Sequence, residues 1–123
     1  MRKGILAGVA ILAITMAGTA GAADLKKGKR VYNKCKACHA LEDGKNKVGP
    51  HLHAIIGRKA GSIDGFKYSK AMMDSGITWD EATLTEYLKA PKKYVKGTKM
   101  AFAGLKKDAD IENVIAYILE ETK

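Results

Sequence analysis

Apolar residues near the end of the chain recur at spacings of three and four positions. They are Ile111, Val114, Ile115, Ile118 and Leu119, with polar residues between them. This spacing is typical of a helix that buries one face. Asp108 precedes the first of these positions, so we expect the helix to begin there.

An earlier segment of about residues 25–36 also has a helical pattern. Asp24 can cap it, and one face would carry Leu25, Gly28, Val31, Tyr32 and Cys35. A loop rich in Gly, Lys and Asn follows over residues 44–49. After Pro50, the segment HLHAIIG could form a short helical turn.

Two further helices are expected in the second half of the chain. Ser69 can cap a short helix that stops at Gly76. Thr78, with Glu81 three residues later, has the pattern of a capping box. Pro91 would end that helix after residue 90.

No segment shows a convincing strand-like alternation, so the sequence predicts an all-α protein. Short helices joined by long loops bury little apolar surface against the entropy of the chain. A large apolar cofactor would add to this core, which favours the presence of a prosthetic group.

The first 23 residues have the three parts of a secretory signal peptide. Arg2 and Lys3 precede an uncharged apolar run, and the small residues Ala20, Gly21 and Ala22 resemble a cleavage site. An uncleaved anchor is the alternative, since the run is barely long enough to span a bilayer. We therefore expect an exported, periplasmic domain over residues 24–123.

The chain is strongly basic. Its formal net charge is +9, and without Arg2 and Lys3 there remain 20 basic and 13 acidic residues. In an exported protein, this charge favours acidic protein surfaces or an anionic membrane over nucleic acid.

The motif C-K-A-C-H holds the only two cysteines of the chain, Cys35 and Cys38, followed by His39. A disulfide here would close a very small loop, and a thioredoxin-like motif expects a βαβ setting. A zinc site would also need His51 or His53, with awkwardly adjacent ligands. C-x-x-C-H is the attachment signature of c-type haem, with His39 facing the iron, and this interpretation is favoured.

The second iron ligand determines whether the haem is closed or open. A closed iron favours electron transfer, whereas an open iron favours a haem peroxidase or ligand sensor. The candidates are Met72, Met73, Met100, His51 and His53. Met100 lies in a glycine-flanked loop that could wrap the far face of a flat cofactor, and we select it.

Several longer segments strengthen the haem interpretation. They read CKACH, GPHLHAIIGRKAG, FKYSKAM, GITWDEATLTEYLKAPKKYVKGTKMAFAG and VIAYI. Across nearly all of residues 24–123 the chain resembles the small class I cytochromes c of mitochondria and bacteria. The resemblance implies a cytochrome c fold, with three to five short helices around one covalently attached haem.

The resemblance also implies roles for individual residues. Cys35 and Cys38 hold the haem, and His39 and Met100 are its axial ligands. Around them, Pro50 would accept a hydrogen bond from His39, Tyr68 and Trp79 would bind a propionate, and Arg58 would offset its charge. Tyr87 and Thr98 would form a polar network near Met100, Phe102 would shield the haem edge, and Gly28, Tyr32, Val114 and Tyr117 would form the crossing of the first and last helices.

Two positions depart from the family pattern. The family commonly has Asn where this chain has His51, and often Asn where it has Met72. The second departure puts a spare thioether near the haem.

The implied function is a non-enzymatic, monomeric carrier of single electrons. It would carry electrons from a quinol-oxidising cytochrome bc-type complex to a terminal oxidase. Alternatively, it would serve a photosynthetic reaction centre, dehydrogenase, peroxidase or nitrite reductase. Transient contact with a membrane surface would be compatible with this role. The candidate docking residues for acidic partners are Lys34, Lys36, Lys47, Lys92, Lys93, Lys99, Lys106 and Lys107.

Overall fold

The structure, a computed structural model, describes residues 22–123. The predicted signal peptide therefore lies almost wholly outside the described residues. Five helices follow one another: α1 (Leu25–Tyr32), α2 (Lys70–Asp74), α3 (Glu81–Lys89), α4 (Pro91–Tyr94) and α5 (Asp108–Glu121). Within this part of the chain, the extended pairing is one isolated bridge between Lys59 and Thr78, which confirms the all-α prediction.

Helix α1 packs across α5. Gly28 lies so close to the backbone carbonyl of Asn113 that a side chain would not fit there. Tyr32 and Tyr117 pack beside this contact, with ring centroids 5.6 Å apart. The apolar pattern of α5 is confirmed, because Ile111 and Val114 are each only 1% exposed.

Helix α1 is shorter than the sequence predicted and ends at Tyr32. The chain continues as tight turns, in which the amides of Cys35 and Lys36 both donate to the carbonyl of Tyr32. Asp24 caps the helix as expected, accepting from two backbone N–H groups. Leu25 does not share the buried face, since it is 43% exposed.

The predicted capping box of Thr78 and Glu81 is wrong. The cap of α3 is Asp80, whose carboxylate accepts from the amide of Thr83, while the Thr83 hydroxyl accepts from the amide of Asp80. Thr78 is instead engaged in the bridge with Lys59. Ser69 caps α2 as expected, and Pro91 follows the end of α3.

The segment HLHAIIG forms turns rather than the expected helical turn. Its carbonyls at His51 and His53 accept hydrogen bonds from the guanidinium of Arg58. These two carbonyls therefore bind a side chain and do not accept the backbone hydrogen bonds of a helix. No helix within residues 22–123 combines the length and the apolar character needed to cross a membrane.

Candidate haem-binding site

A cavity of about 740 Å³ lies among the loops and helices. Its wall is mostly apolar and includes Leu52, Ile55, Leu84, Val114 and Ile118. The residues that the sequence analysis assigned to the cofactor and its iron all line this one cavity: Cys35, Cys38, His39, Pro50, Arg58, Tyr68, Trp79, Tyr87, Thr98, Met100 and Phe102. The fold thus brings together residues from positions 35 to 102 of the chain.

The C-x-x-C-H segment is a turn that follows α1. The amides of Cys38 and His39 both donate to the carbonyl of Cys35, at 3.0 and 2.9 Å. This i→i−4 bond sets Cys35 and His39 one helical turn apart, so both side chains reach the cavity. The geometry allows two thiols and one imidazole to contact the same bound group.

The orientation of His39 is fixed by its neighbours. Its Nδ1 lies 2.7 Å from the carbonyl oxygen of Pro50. Because a carbonyl can only accept, Nδ1 carries the proton and Nε2 keeps its lone pair for a metal. Burial is the main cause that lowers the pKa of His39, which favours the neutral imidazole that a metal requires.

A tyrosine that sequence reasoning had placed only in the helix crossing also holds this segment. The Tyr32 hydroxyl donates to the backbone carbonyl of His39 at 3.0 Å. Burial raises the pKa of Tyr32 to about 12, so the hydroxyl keeps its proton. Tyr32 therefore links the α1–α5 contact directly to the candidate ligand.

The loop that carries Met100 is held by a buried polar pair. The hydroxyls of Tyr87 and Thr98 are 2.7 Å apart, and Thr98 Oγ1 accepts from the amide of Met100 at 3.4 Å. Burial raises the pKa of Tyr87, which keeps this hydroxyl neutral. The Met100 thioether is half-buried at the cavity.

Arg58, Tyr68 and Trp79 bring polar groups to the otherwise apolar cavity. Arg58 uses three of its five N–H groups on the segment 51–53, which leaves two donors without a partner among residues 22–123. Trp79 is 6% exposed, and its indole N–H also lacks a partner in the described part of the chain. Tyr68 accepts from the amide of Ile63 at 3.2 Å and keeps its own proton to donate.

These residues fit a haem group. The cavity has the size of a pocket for a sizeable ligand and is mainly apolar. Two thiols, one imidazole nitrogen and one thioether are the usual covalent anchors and ligands of c-type haem. The unpaired donors of Arg58 and Trp79 suit an anionic substituent such as a propionate.

The two other methionines of the described residues differ in position. Met72 is 9% exposed and lines the cavity, whereas Met73 is 51% exposed. The structure thus brings Met72 to the cofactor cavity, as its position in the family pattern implied. Within residues 22–123, no three His, Cys, Asp or Glu side chains cluster as a metal site would require.

All eight candidate docking lysines are exposed. Three of them, Lys34, Lys47 and Lys99, also line the cavity and therefore mark its rim. Sequence reasoning missed a fourth rim lysine, Lys67, whose carbonyl accepts from the Lys99 ammonium at 3.0 Å. The remaining predicted lysines do not line the cavity: Lys36, Lys92, Lys93, Lys106 and Lys107.

Known proteins resemble the chain over almost all of the described domain. Residues 25–121 match the family model described as Cytochrome c. Cytochrome c-550 of Nitrobacter winogradskyi is 52% identical over 101 residues, which are 81% of this chain and 93% of that protein. Cytochrome c2 iso-2 of Magnetospirillum fulvum is 56% identical over 87 residues, or 71% of this chain and 91% of its own.

A solved structure agrees with these sequence matches. Cytochrome cH from Methylobacterium extorquens superposes with a TM-score of 0.74 at 44% identity, covering 79% of this chain and 98% of its own. The predicted fold, covalent haem c and family are therefore confirmed. The chain belongs to the cytochrome c family, whose members bind haem c covalently and carry electrons.

Proposed function

We propose that this protein is an exported, periplasmic carrier of single electrons. It takes an electron from a quinol-oxidising cytochrome bc-type complex and delivers it to a terminal oxidase. In this proposal residues 1–23 are a cleaved signal peptide and residues 24–123 form the working domain. Cys35 and Cys38 would tether the haem, and His39 and Met100 would ligate its iron.

The bound haem supplies a one-electron Fe(II)/Fe(III) couple. His39 contributes a neutral nitrogen, and Met100 contributes a neutral thioether, which favours the reduced state. The mainly apolar wall of the cavity disfavours the extra positive charge of the oxidised state. With both residues bound to the iron, the haem would have a high reduction potential, and its iron would be closed to a substrate.

The neighbours of the two ligands keep their positions fixed during transfer. The Pro50 carbonyl, 2.7 Å from His39 Nδ1, holds the imidazole plane. The Tyr87–Thr98 pair holds the loop at Met100. A site that does not rearrange on oxidation transfers an electron with little reorganisation.

The observation that carries the proposal is the lysine rim of the cavity. Lys34, Lys47, Lys67 and Lys99 are exposed and line the cavity, so four positive charges lie at the edge of the cofactor site. Such a surface attracts acidic partners quickly and releases them easily, because exposed charges are screened by salt. This behaviour suits a shuttle between two complexes.

The test is a stopped-flow measurement of electron transfer with purified bc-type complex and terminal oxidase from native membranes. We expect both bimolecular rates to fall as ionic strength rises. The charge reversals Lys47→Glu and Lys99→Glu should together lower the rates at low salt by about tenfold or more and flatten the salt dependence.

Lys26→Glu is the matched control, because Lys26 is exposed and does not line the cavity. It changes the net charge by the same amount as either rim reversal alone and should leave the rates within about twofold. Rates that do not depend on salt, or an equal effect of Lys26→Glu, would contradict the proposed docking surface. Fast transfer to only one of the two complexes would instead assign the protein to another electron-transport chain.

A further inference from the structure

The guanidinium of Arg58 is hydrogen-bonded to one short segment of the chain, residues 51–53. Its Nη1 donates to the carbonyl of His51 at 2.7 Å, and its Nη2 donates to the carbonyl of His53 at 2.6 Å. Nη2 also lies 3.3 Å from the ring nitrogen Nδ1 of His51. A single histidine therefore contacts Arg58 through both its backbone and its side chain.

This contact determines the protonation of the His51 ring. A guanidinium has only donors, so Nδ1 must accept and the ring proton must sit on Nε2. The backbone amide of His51 donates to the Asn46 side chain at 3.0 Å, which fixes the residue further. The side chain is buried, with the residue 5% exposed.

The charged and titratable groups around His51 come from three sides. Arg58 lies against Nδ1, Asp43 has a carboxylate oxygen 3.8 Å from Nε2, and His53 lies nearby in the same segment. Burial and Arg58 lower the pKa of His51, and the weaker influence of Asp43 opposes them. The neutral ring is thus the form that the folded structure favours.

We propose that His51 is a positioning residue for Arg58 at the wall of the haem cavity. The neutral imidazole holds the guanidinium in place, and protonation of Nδ1 breaks this contact and puts a second positive charge behind it. The inference rests on the proposed function, since it concerns an arginine that faces the bound haem.

The charge on His51 should shift the midpoint potential of the haem in one direction. A positive charge at His51 disfavours the oxidised iron, so the midpoint potential should be higher below the pKa of His51 than above it. By linkage, His51 should bind its proton severalfold more tightly in the reduced protein than in the oxidised protein. Each factor of ten in that ratio corresponds to 59 mV of potential.

The experiment measures the midpoint potential of the haem-loaded protein from about pH 5 to pH 8. NMR titration of His51 in both redox states gives its pKa independently. In His51→Asn the side-chain oxygen can still accept from Arg58, but the residue cannot titrate, so the pH step should disappear. His53→Asn is the matched control, because His53 contacts Arg58 only through its backbone carbonyl, and the step should remain.

A second variant tests positioning apart from charge. His51→Leu removes the acceptor, so the side-chain N–H groups of Arg58 should exchange with water severalfold faster than in native protein or His51→Asn. A pH step that persists in His51→Asn, or equal Arg58 exchange in the native protein and His51→Leu, would overturn the inference. So would equal pKa values of native His51 in both redox states, a result that needs no variant to fold.

Failure of the proposed function would look different. An absorption spectrum without thioether ligation, or slow transfer to both complexes, would refute the carrier itself. A normal spectrum and fast transfer with a potential independent of pH would refute only the role of His51.

Discussion

Replacement of Gly49 by alanine tests the orientation of the proposed iron ligand. The added methyl group would collide with the His39 ring at Cε1 and come within 2.8 Å of Nδ1 and 3.0 Å of Nε2. The ring cannot move freely, because Pro50 holds Nδ1 at 2.7 Å. Gly49 is itself fixed, since its amide donates to the carbonyl of Cys38 at 2.7 Å.

The expected cost of Gly49→Ala is the sum of two effects. Overpacking at a rigid position destabilises by about 1–3 kcal/mol. Displacement of the ring from Pro50 loses a hydrogen bond of about 1 kcal/mol. We therefore expect the free energy of unfolding to fall by roughly 2–4 kcal/mol, and Tm by roughly 10–25 °C for a domain of this size.

The assay is thermal and denaturant unfolding of the haem-loaded protein, with the absorption spectrum recorded for each variant. Ile56→Val is the control: Ile56 is 42% exposed and does not line the cavity, so its truncation should change stability by less than about 0.5 kcal/mol. Gly44→Ala separates backbone strain from ring contact, because Gly44 has a φ of 78° but nothing within 4 Å of an added methyl group. Equal stability and an unchanged spectrum in Gly49→Ala would refute the idea that the glycine makes room for the ring.

Three further predictions concern the helix crossing, the methionine loop and acid stability. Gly28→Ala should lower the free energy of unfolding by about 2 kcal/mol or more in a urea titration, because the backbone at Asn113 cannot yield; native-like stability would contradict the close crossing. In Tyr87→Phe, Thr98 loses its buried partner, so the free energy of unfolding should fall by about 1 kcal/mol. Met100 ligation should also weaken, measured as loss of the thioether absorption band at a lower pH than in native protein. The pKa of His51 is lowered in the folded protein, so its contribution to the free energy of unfolding is complete above about pH 6.5 and is lost as the pH falls further. Native protein should therefore lose stability relative to His51→Asn below that pH. Parallel curves of stability against pH for the two proteins would contradict this.

Local sequence rules predicted much of the fold. Asp24 and Ser69 cap their helices, and Ile111 and Val114 are buried as the helical period required. These features depend on side chains acting on nearby backbone, so the sequence contains their cause. The capping box was misplaced because Asp80, two residues after Thr78, caps the helix, while Thr78 pairs with Lys59 from a distant part of the chain.

The candidate site was predicted as a set of residues but not as an arrangement. The motif and the family resemblance indicated the eleven cavity residues, and the structure gathers them. The sequence did not predict the hydrogen bonds from Arg58 to the segment 51–53 or from Tyr32 to the His39 carbonyl, because backbone carbonyls have no signature in a sequence. Lys67 was missed because its place at the rim depends on how a long loop folds over the cavity.

The central claim is that His39 and Met100 close the haem iron of an electron carrier. The most direct measurement is carbon monoxide binding to the reduced, haem-loaded protein at neutral pH, with Met100→Ala as the comparison. We expect no binding by the native protein and ready binding by the variant. Ready binding by the native protein would contradict the claim and indicate an open iron, as in a haem peroxidase or ligand sensor.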